Sequence, residues 1–95
     1  MARYSKNSAA GTVGSSAVVT ALEANGDRAR LWLQAMPGNT GNLYIRYGAD
    51  PASDGSDCNI ALTAGSGVLF DAHCPADDIR VIGSQSGQEY RFEEA

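Results

Sequence analysis

The sequence predicts an all-β protein: a small antiparallel β-sandwich or barrel, jelly-roll-like, with an extended N-terminal arm. Three observations carry this. The stretch Asn42-Leu43-Tyr44-Ile45-Arg46-Tyr47-Gly48 is rich in aromatic and β-branched residues, with Leu43, Ile45 and Tyr47 on one parity and Tyr44 and Arg46 on the other, the alternation of a strand with one buried and one wet face. Short alternating runs follow at residues 58–62, 67–72, 79–83 and 89–93. Each is separated from the next by Gly, Ser, Asp, Asn or Pro, the residues that reverse a chain at low cost.

Residues 1–16 are Ser, Ala, Gly and Asn with the cations Arg3 and Lys6, and they show neither the helical nor the strand period. They are expected to form a flexible arm ahead of a single β-domain at residues 17–95. Two readings stand for the arm. One is a frayed terminus; the other is a tail that orders over a neighbouring subunit, anchored by Tyr4 between Arg3 and Lys6.

Ala17-Val18-Val19-Thr20-Ala21-Leu22 has a β-branched centre that favours a strand over a helix. Asn25-Gly26-Asp27 is a tight-turn signal, because Asn and Gly accept positive φ. Next, residues 28–36 place Ala29, Leu31, Leu33 and Ala35 on one face and Arg28, Arg30, Trp32 and Gln34 on the other. The two segments are expected to form a hairpin. Two Arg and a Trp on one strand face make a contact-prone stripe of the kind enriched at interface hot spots; the alternative places Trp32 against a second sheet with the Arg residues solvating the edge.

Residues 37–42 are a turn by composition, and the strand at 43–47 delivers the chain to the longest polar loop, 50–57. Asp50, Asp54 and Asp57 supply oxygens of the type calcium takes, but their spacing is not that of the helix-flanked calcium loop, so a solvated loop is expected. Thr63-Ala64-Gly65-Ser66-Gly67 lacks the Lys and following helix of a phosphate-binding loop and is expected to close a hairpin. Cys58, His73 and Cys74 are zinc-ligand types without zinc spacing, and a Cys74 nucleophile would need a base beside it, whereas sequence neighbours in a strand point apart. Cys58 and Cys74 are expected as two half-buried thiols, a disulfide closing the loop between them being the alternative. Residues 79–83 and 88–93 complete the strands, with Tyr90 and Phe92 on one face and Glu89, Arg91 and Glu93 on the other.

The chain has 95 residues, one domain's worth. A domain of that size hides only roughly 60 to 65% of its unfolded surface, so subunit or partner contacts are an expected source of stability. Seven Lys and Arg against eleven Asp and Glu give a net charge of −4, which repels phosphate backbones and argues against nucleic acid as partner. Six of the seven basic residues are Arg, suited to fixed carboxylate pairing. No apolar run has the length of a membrane span, and the N-terminus lacks the apolar centre of a secretion signal, so a protein made in the cytoplasm is expected.

From Asn42 to Phe92 the order of elements resembles a known family. A strand Asn42-Leu43-Tyr44-Ile45-Arg46-Tyr47-Gly48, a small polar loop, a short strand ending Leu62-Thr63-Ala64-Gly65, a Val68-Leu69-Phe70 strand and Asp78-Ile79-Arg80-Val81-Ile82-Gly83-Ser84-Gln85-Ser86-Gly87 before a last strand look like the small β-sandwich minor head proteins of tailed bacteriophage virions, including decoration or cement proteins. The chain differs from them in its arm and its 50–57 loop. The resemblance implies a structural protein, a homo-oligomer or multicopy on the shell, that binds the major capsid protein and reinforces the shell from outside, with no catalytic, cofactor or metal site. Arg3, Tyr4, Lys6, Arg28, Arg30 and Trp32 are the candidate partner-binding residues. A carbohydrate- or cell-surface-binding module such as a fibre head, with Tyr44, Tyr47 and Trp32 as its aromatic platform, or another head-tail component, is the competing reading. An enzyme is not expected from a chain with one His and no paired catalytic groups.

Overall fold

The computed structural model describes residues 7–95. Among them are eight strands, β1 (Asn7–Val13), β2 (Val19–Leu22), β3 (Leu31–Ala35), β4 (Leu43–Tyr47), β5 (Ile60–Leu62), β6 (Gly67–Phe70), β7 (Ile79–Gly83) and β8 (Gln88–Glu94). They form two antiparallel sheets, ordered β1-β8-β3-β6 and β2-β7-β4-β5. This interleaved order on two packed sheets is a jelly roll. The sheets stay separate, so the architecture is the sandwich and not the closed barrel.

The alternation that predicted the strands builds the core. Val13, Leu31, Leu33, Ala35, Tyr90 and Phe92 point inward from one sheet, and Leu22, Leu43, Ile45, Leu62, Ile79 and Val81 from the other. Tyr90 and Phe92 stack at a centroid separation of 4.9 Å, a spacing at which tilted rings attract.

Four sequence expectations are corrected. Residues 7–13, assigned to the arm, form β1, in register with β8 from Asn7↔Glu94 to Val13↔Gln88. Its period is faint because its inward positions are small. Gly11 lies opposite Tyr90, and a Cβ there would stand 3.0 Å from the Tyr90 Oη, so the missing side chain is where the ring fits. Arg3, Tyr4 and Lys6 lie outside the described residues.

The expected hairpin at residues 17–36 does not form: β2 pairs with β7, while β3 lies between β8 and β6. The turn at 63–67 likewise carries the chain from β5 in one sheet to β6 in the other. Asn and Gly reverse the chain equally well within a sheet or between sheets, so composition does not distinguish them. At residues 25–27 the crossing is fixed by an Asn25 N–H to Ala76 carbonyl bond of 2.8 Å and by Asn25 Oδ1, which accepts the Asp27 N–H at 3.0 Å.

Arg28, expected on the outward stripe, is buried. The Ala29 and Arg30 N–H groups both converge on the Ala95 carbonyl, at 2.8 and 3.0 Å, which resets the alternation before β3 begins at Leu31. The side chain of Arg28 is wholly covered and pairs with Glu94, Nε to Oε1 at 2.7 Å. One terminal nitrogen donates to the carbonyls of Pro75 and Asp77, the other to that of Glu23 at 2.9 Å. One guanidinium therefore ties the β2–β3 connection, the β6–β7 loop and the end of β8. At the opposite end Gln88 is fully buried and satisfied: its Oε1 accepts the Gly41 N–H at 2.7 Å, and its Nε2 donates to the Ser86 carbonyl at 2.9 Å and to Thr40 Oγ1 at 3.2 Å.

Breaking a buried pair from one side strands the other charge, at a cost of about 3–5 kcal/mol. Arg28→Ala is expected to lower unfolding stability in urea by about that amount, whereas Arg30→Ala, which removes an exposed pair with Asp71, costs less than about 1 kcal/mol. Equal effects of the two substitutions would contradict the assignment.

Candidate functional site: an open sheet face

The two outer faces of the sandwich are finished differently. On β2-β7-β4-β5 the outward residues include Tyr44, Arg46, Arg80 and Ile82, with Tyr44 opposite Ile82 and Arg46 opposite Arg80. The polar loop between β4 and β5 folds onto this face. Arg46 holds Asp57 at 2.6 Å, and Arg80 holds Asp50 at 2.7 Å and Asp78 at 2.8 Å. The hydrogen bonds that Arg80 donates to Asp50 and to Asp78 raise the pKa of its guanidinium further. Gly55 sits at φ 77° against the Tyr44 ring, where a Cβ would come within 2.9 Å of a ring carbon. Pro51 is buried, and so is Ile82, at 5% exposure, although it lies outside the core between the sheets. The loop expected to be solvated is a cover clamped by arginines.

The loop's carboxylates diverge to separate partners. Asp54 accepts the Ser56 hydroxyl at 2.6 Å and the Ser56 N–H at 2.9 Å, and these bonds hold its carboxyl below the usual carboxylate range. Among the described residues no three His, Cys, Asp or Glu side chains converge as metal ligands would. Cys58 and Cys74 are separate half-buried thiols. Cys58 contacts the Gly55 carbonyl at 3.6 Å, and Cys74 the carbonyls of Ala29 and Phe70 at 3.1 and 3.4 Å. Burial pushes the Cys74 thiol up, against the pull of Arg28, so it is held as the weak nucleophile. His73 is exposed in the left-handed region, at φ 56°.

Among the described residues, none covers the outer face of β1-β8-β3-β6 in this way. Trp32 is 51% exposed and Leu69 58%, the large exposed hydrophobics among the described residues, and they are direct cross-strand partners. Trp32 therefore points outward and does not lie against a second sheet, although Arg28 is not beside it on that face. Its Nε1 donates to Gln34 Oε1 at 3.4 Å, and Gln34 is fixed by donating to the carbonyls of Gly65 and Ser66 at 3.1 and 3.2 Å. Around the pair, exposed charges neutralise each other: Arg91 with Glu93 at 3.3 Å, and Arg30 with Asp71 at 2.9 Å. Trp32, Gln34, Arg91 and Glu93 line a depression of about 180 Å³, which meets at Arg91 a second of about 340 Å³ lined in part by Ala10, Thr12, Met36 and Glu89.

Of the candidate residues within the described chain, Arg30 and Trp32 are exposed and Arg28 is a buried pin. Leu69 was overlooked, though its signal was present: it has the opposite parity to Val68 and Phe70, which pack against the core. An exposed apolar pair ringed by neutralised charges is a surface for desolvated contact. Compared with known proteins, the chain matches no family model, no curated protein and no solved structure.

Two measurements check this geometry. Trp32 fluorescence is expected to be solvent-like and fully quenchable in the native protein, and Trp32→Ala to change stability by no more than about 1 kcal/mol; a blue-shifted, protected emission would place the ring inside. By NMR titration the Asp54 carboxyl should ionise below the ordinary carboxylate range, and Ser56→Ala should move it upward toward that range; an unchanged value would remove the hydroxyl as the cause.

Proposed function

We propose that the protein is a structural virion component of the decoration or cement type, which binds the capsid shell through the outer face of β1-β8-β3-β6. The observation that carries the reading is the contrast between faces: Trp32 and Leu69 stand exposed on one sheet, while the other sheet is sealed by the chain's own loop. A soluble domain gains nothing from exposing an indole and a leucine side by side unless something covers them.

The resemblance of residues 42–92 to minor head proteins points the same way, and the jelly roll is an architecture common in viral capsid proteins and in lectins, though a fold alone does not specify a role. The partner in this reading is the major capsid protein, met in many copies on the capsid surface. Each contact is small, but repeated attachment to a fixed lattice gains from effective concentration. The role is mechanical and not catalytic, and a net charge of −4 directs the protein to shell protein and not to the packaged nucleic acid.

One feature favours a second reading. Trp32 stands beside the polar groups of Gln34, Arg91 and Glu93 at a shallow depression, an arrangement that suits a sugar ring stacked on the indole. Against it, Tyr44 and Tyr47 are half-buried and belong to the opposite sheet, so no wider aromatic platform supports Trp32.

Mixing the protein with shells that lack it should give saturable co-sedimentation, with Trp32→Ala weakening binding at least tenfold, about 1.4 kcal/mol or more. Absence of saturable binding, together with a glycan-array signal that depends on Trp32, would replace this reading with the second.

A further inference from the structure

We propose that two copies of the chain pair through β6, antiparallel and two-fold about Leu69, joining their β1-β8-β3-β6 sheets into one. Among the described residues β6 is the last strand of its sheet and has a strand partner on one side only. The hydrogen-bond parity shows which of its groups are free. The Ala35 N–H donates to the Ser66 carbonyl at 2.9 Å, and residues 35 and 66 extend the register Leu31↔Phe70 and Leu33↔Val68. Even-numbered residues of this strand therefore bond to β3, and the main-chain N–H and C=O of Gly67 and Leu69 point to the open edge.

Apart from its short length of four residues, this edge lacks the guards that proteins place on exposed strands. Gly67-Val68-Leu69-Phe70 holds no charge and no proline. By contrast β2 has a register shift between Thr20 and Leu22, β5 is three residues long, and β1 offers mostly small side chains. At β6 the core is also incompletely closed. Val68 and Phe70 point inward yet are only half-buried, as is Ile60 on β5, the last strand of the other sheet, and Leu69 is exposed outright. A strand laid against β6 satisfies the free main-chain groups and covers these side chains together.

The edge is self-complementary: with Leu69 set antiparallel opposite Leu69 of a second copy, each copy's outward N–H meets the other's outward C=O, and charge favours the antiparallel sense over the parallel one. Asp71 follows β6 directly, and the residues before the strand, 63–66, are uncharged. With Leu69 opposite Leu69 of the second copy, the two Asp71 side chains fall four residues apart, roughly 13 Å at the rise of a strand, beyond the screening length of about 8 Å at physiological salt. A parallel pairing would set them side by side. The two-fold axis runs perpendicular to the joined sheet, so both Trp32–Leu69 pairs face the same way. The pairing stands independently of the shell-binding reading; if both hold, attachment is bivalent.

The test is sedimentation equilibrium of the full chain without any shell present, over a range of concentrations. The expected result is reversible association to twice the 9.9 kDa chain mass. Leu69→Pro removes only an N–H that faces the edge, and Leu69→Lys sets like charges opposite across the axis; each should give the monomer mass while the circular dichroism spectrum and urea midpoint stay near those of the parent. A parent monomeric at every concentration overturns the proposal, as does a dimer that survives both substitutions. If Leu69→Pro disturbs the fold, Leu69→Lys alone decides.

Discussion

The structure depends on the burial of Arg28. A guanidinium removed from water must have its charge and its donors met, and here Glu94 and the carbonyls of Glu23, Pro75 and Asp77 meet them. These partners belong to three chain segments far apart in sequence, so the group can be satisfied only when the β2–β3 connection, the β6–β7 loop and β8 are all in place. In a domain this small, where the core leaves a modest margin, such a pin adds specificity to the nonspecific drive of burial. Gln88 does the same at the other end with neutral bonds to Gly41, Thr40 and Ser86. Between these two polar pins lies a single apolar layer from alternate residues of both sheets.

With the ends pinned, what distinguishes the protein is how it finishes its surfaces. One sheet is covered by the loop between β4 and β5, whose acids are held by Arg46 and Arg80. The other is left bare, with Trp32 and Leu69 side by side, and the strand carrying Leu69 ends its sheet with free main-chain groups. The uncovered features thus lie together on one face and one edge, which is why the proposals for attachment and for self-pairing converge on the same corner.

Much of this was legible in the sequence where alternation is strong and the inward residues are large. Leu31, Leu33, Leu43, Ile45, Tyr90 and Phe92 all have the parity the pattern assigned them, and the strand at 79–83 has the bounds it suggested. β1 was hidden because an edge strand that packs Ala9 and Gly11 against larger neighbours shows almost no hydrophobic period. Sheet membership was hidden because turn residues encode reversal without saying which sheet receives the chain. Arg28 was misplaced because parity was counted back through residues 29 and 30, where two N–H groups share the Ala95 carbonyl and the alternation slips. The loop at 50–57 looked solvated because its carboxylates are visible in sequence, while their arginine partners, Arg46 on the strand that enters the loop and Arg80 on the distant β7, are not paired with them by any local rule.

The asymmetry between faces is the centre of the account, and hydroxyl-radical footprinting of the protein free and in an assembly with the shells it is proposed to bind tests it most directly. Trp32 and Leu69 should be readily oxidised in the free protein and protected in the assembly, with Tyr44 and Ile82 slow to react in both. Protection confined to the loop at residues 50–57 and the β2-β7-β4-β5 face, with Trp32 equally reactive in both states, would contradict it.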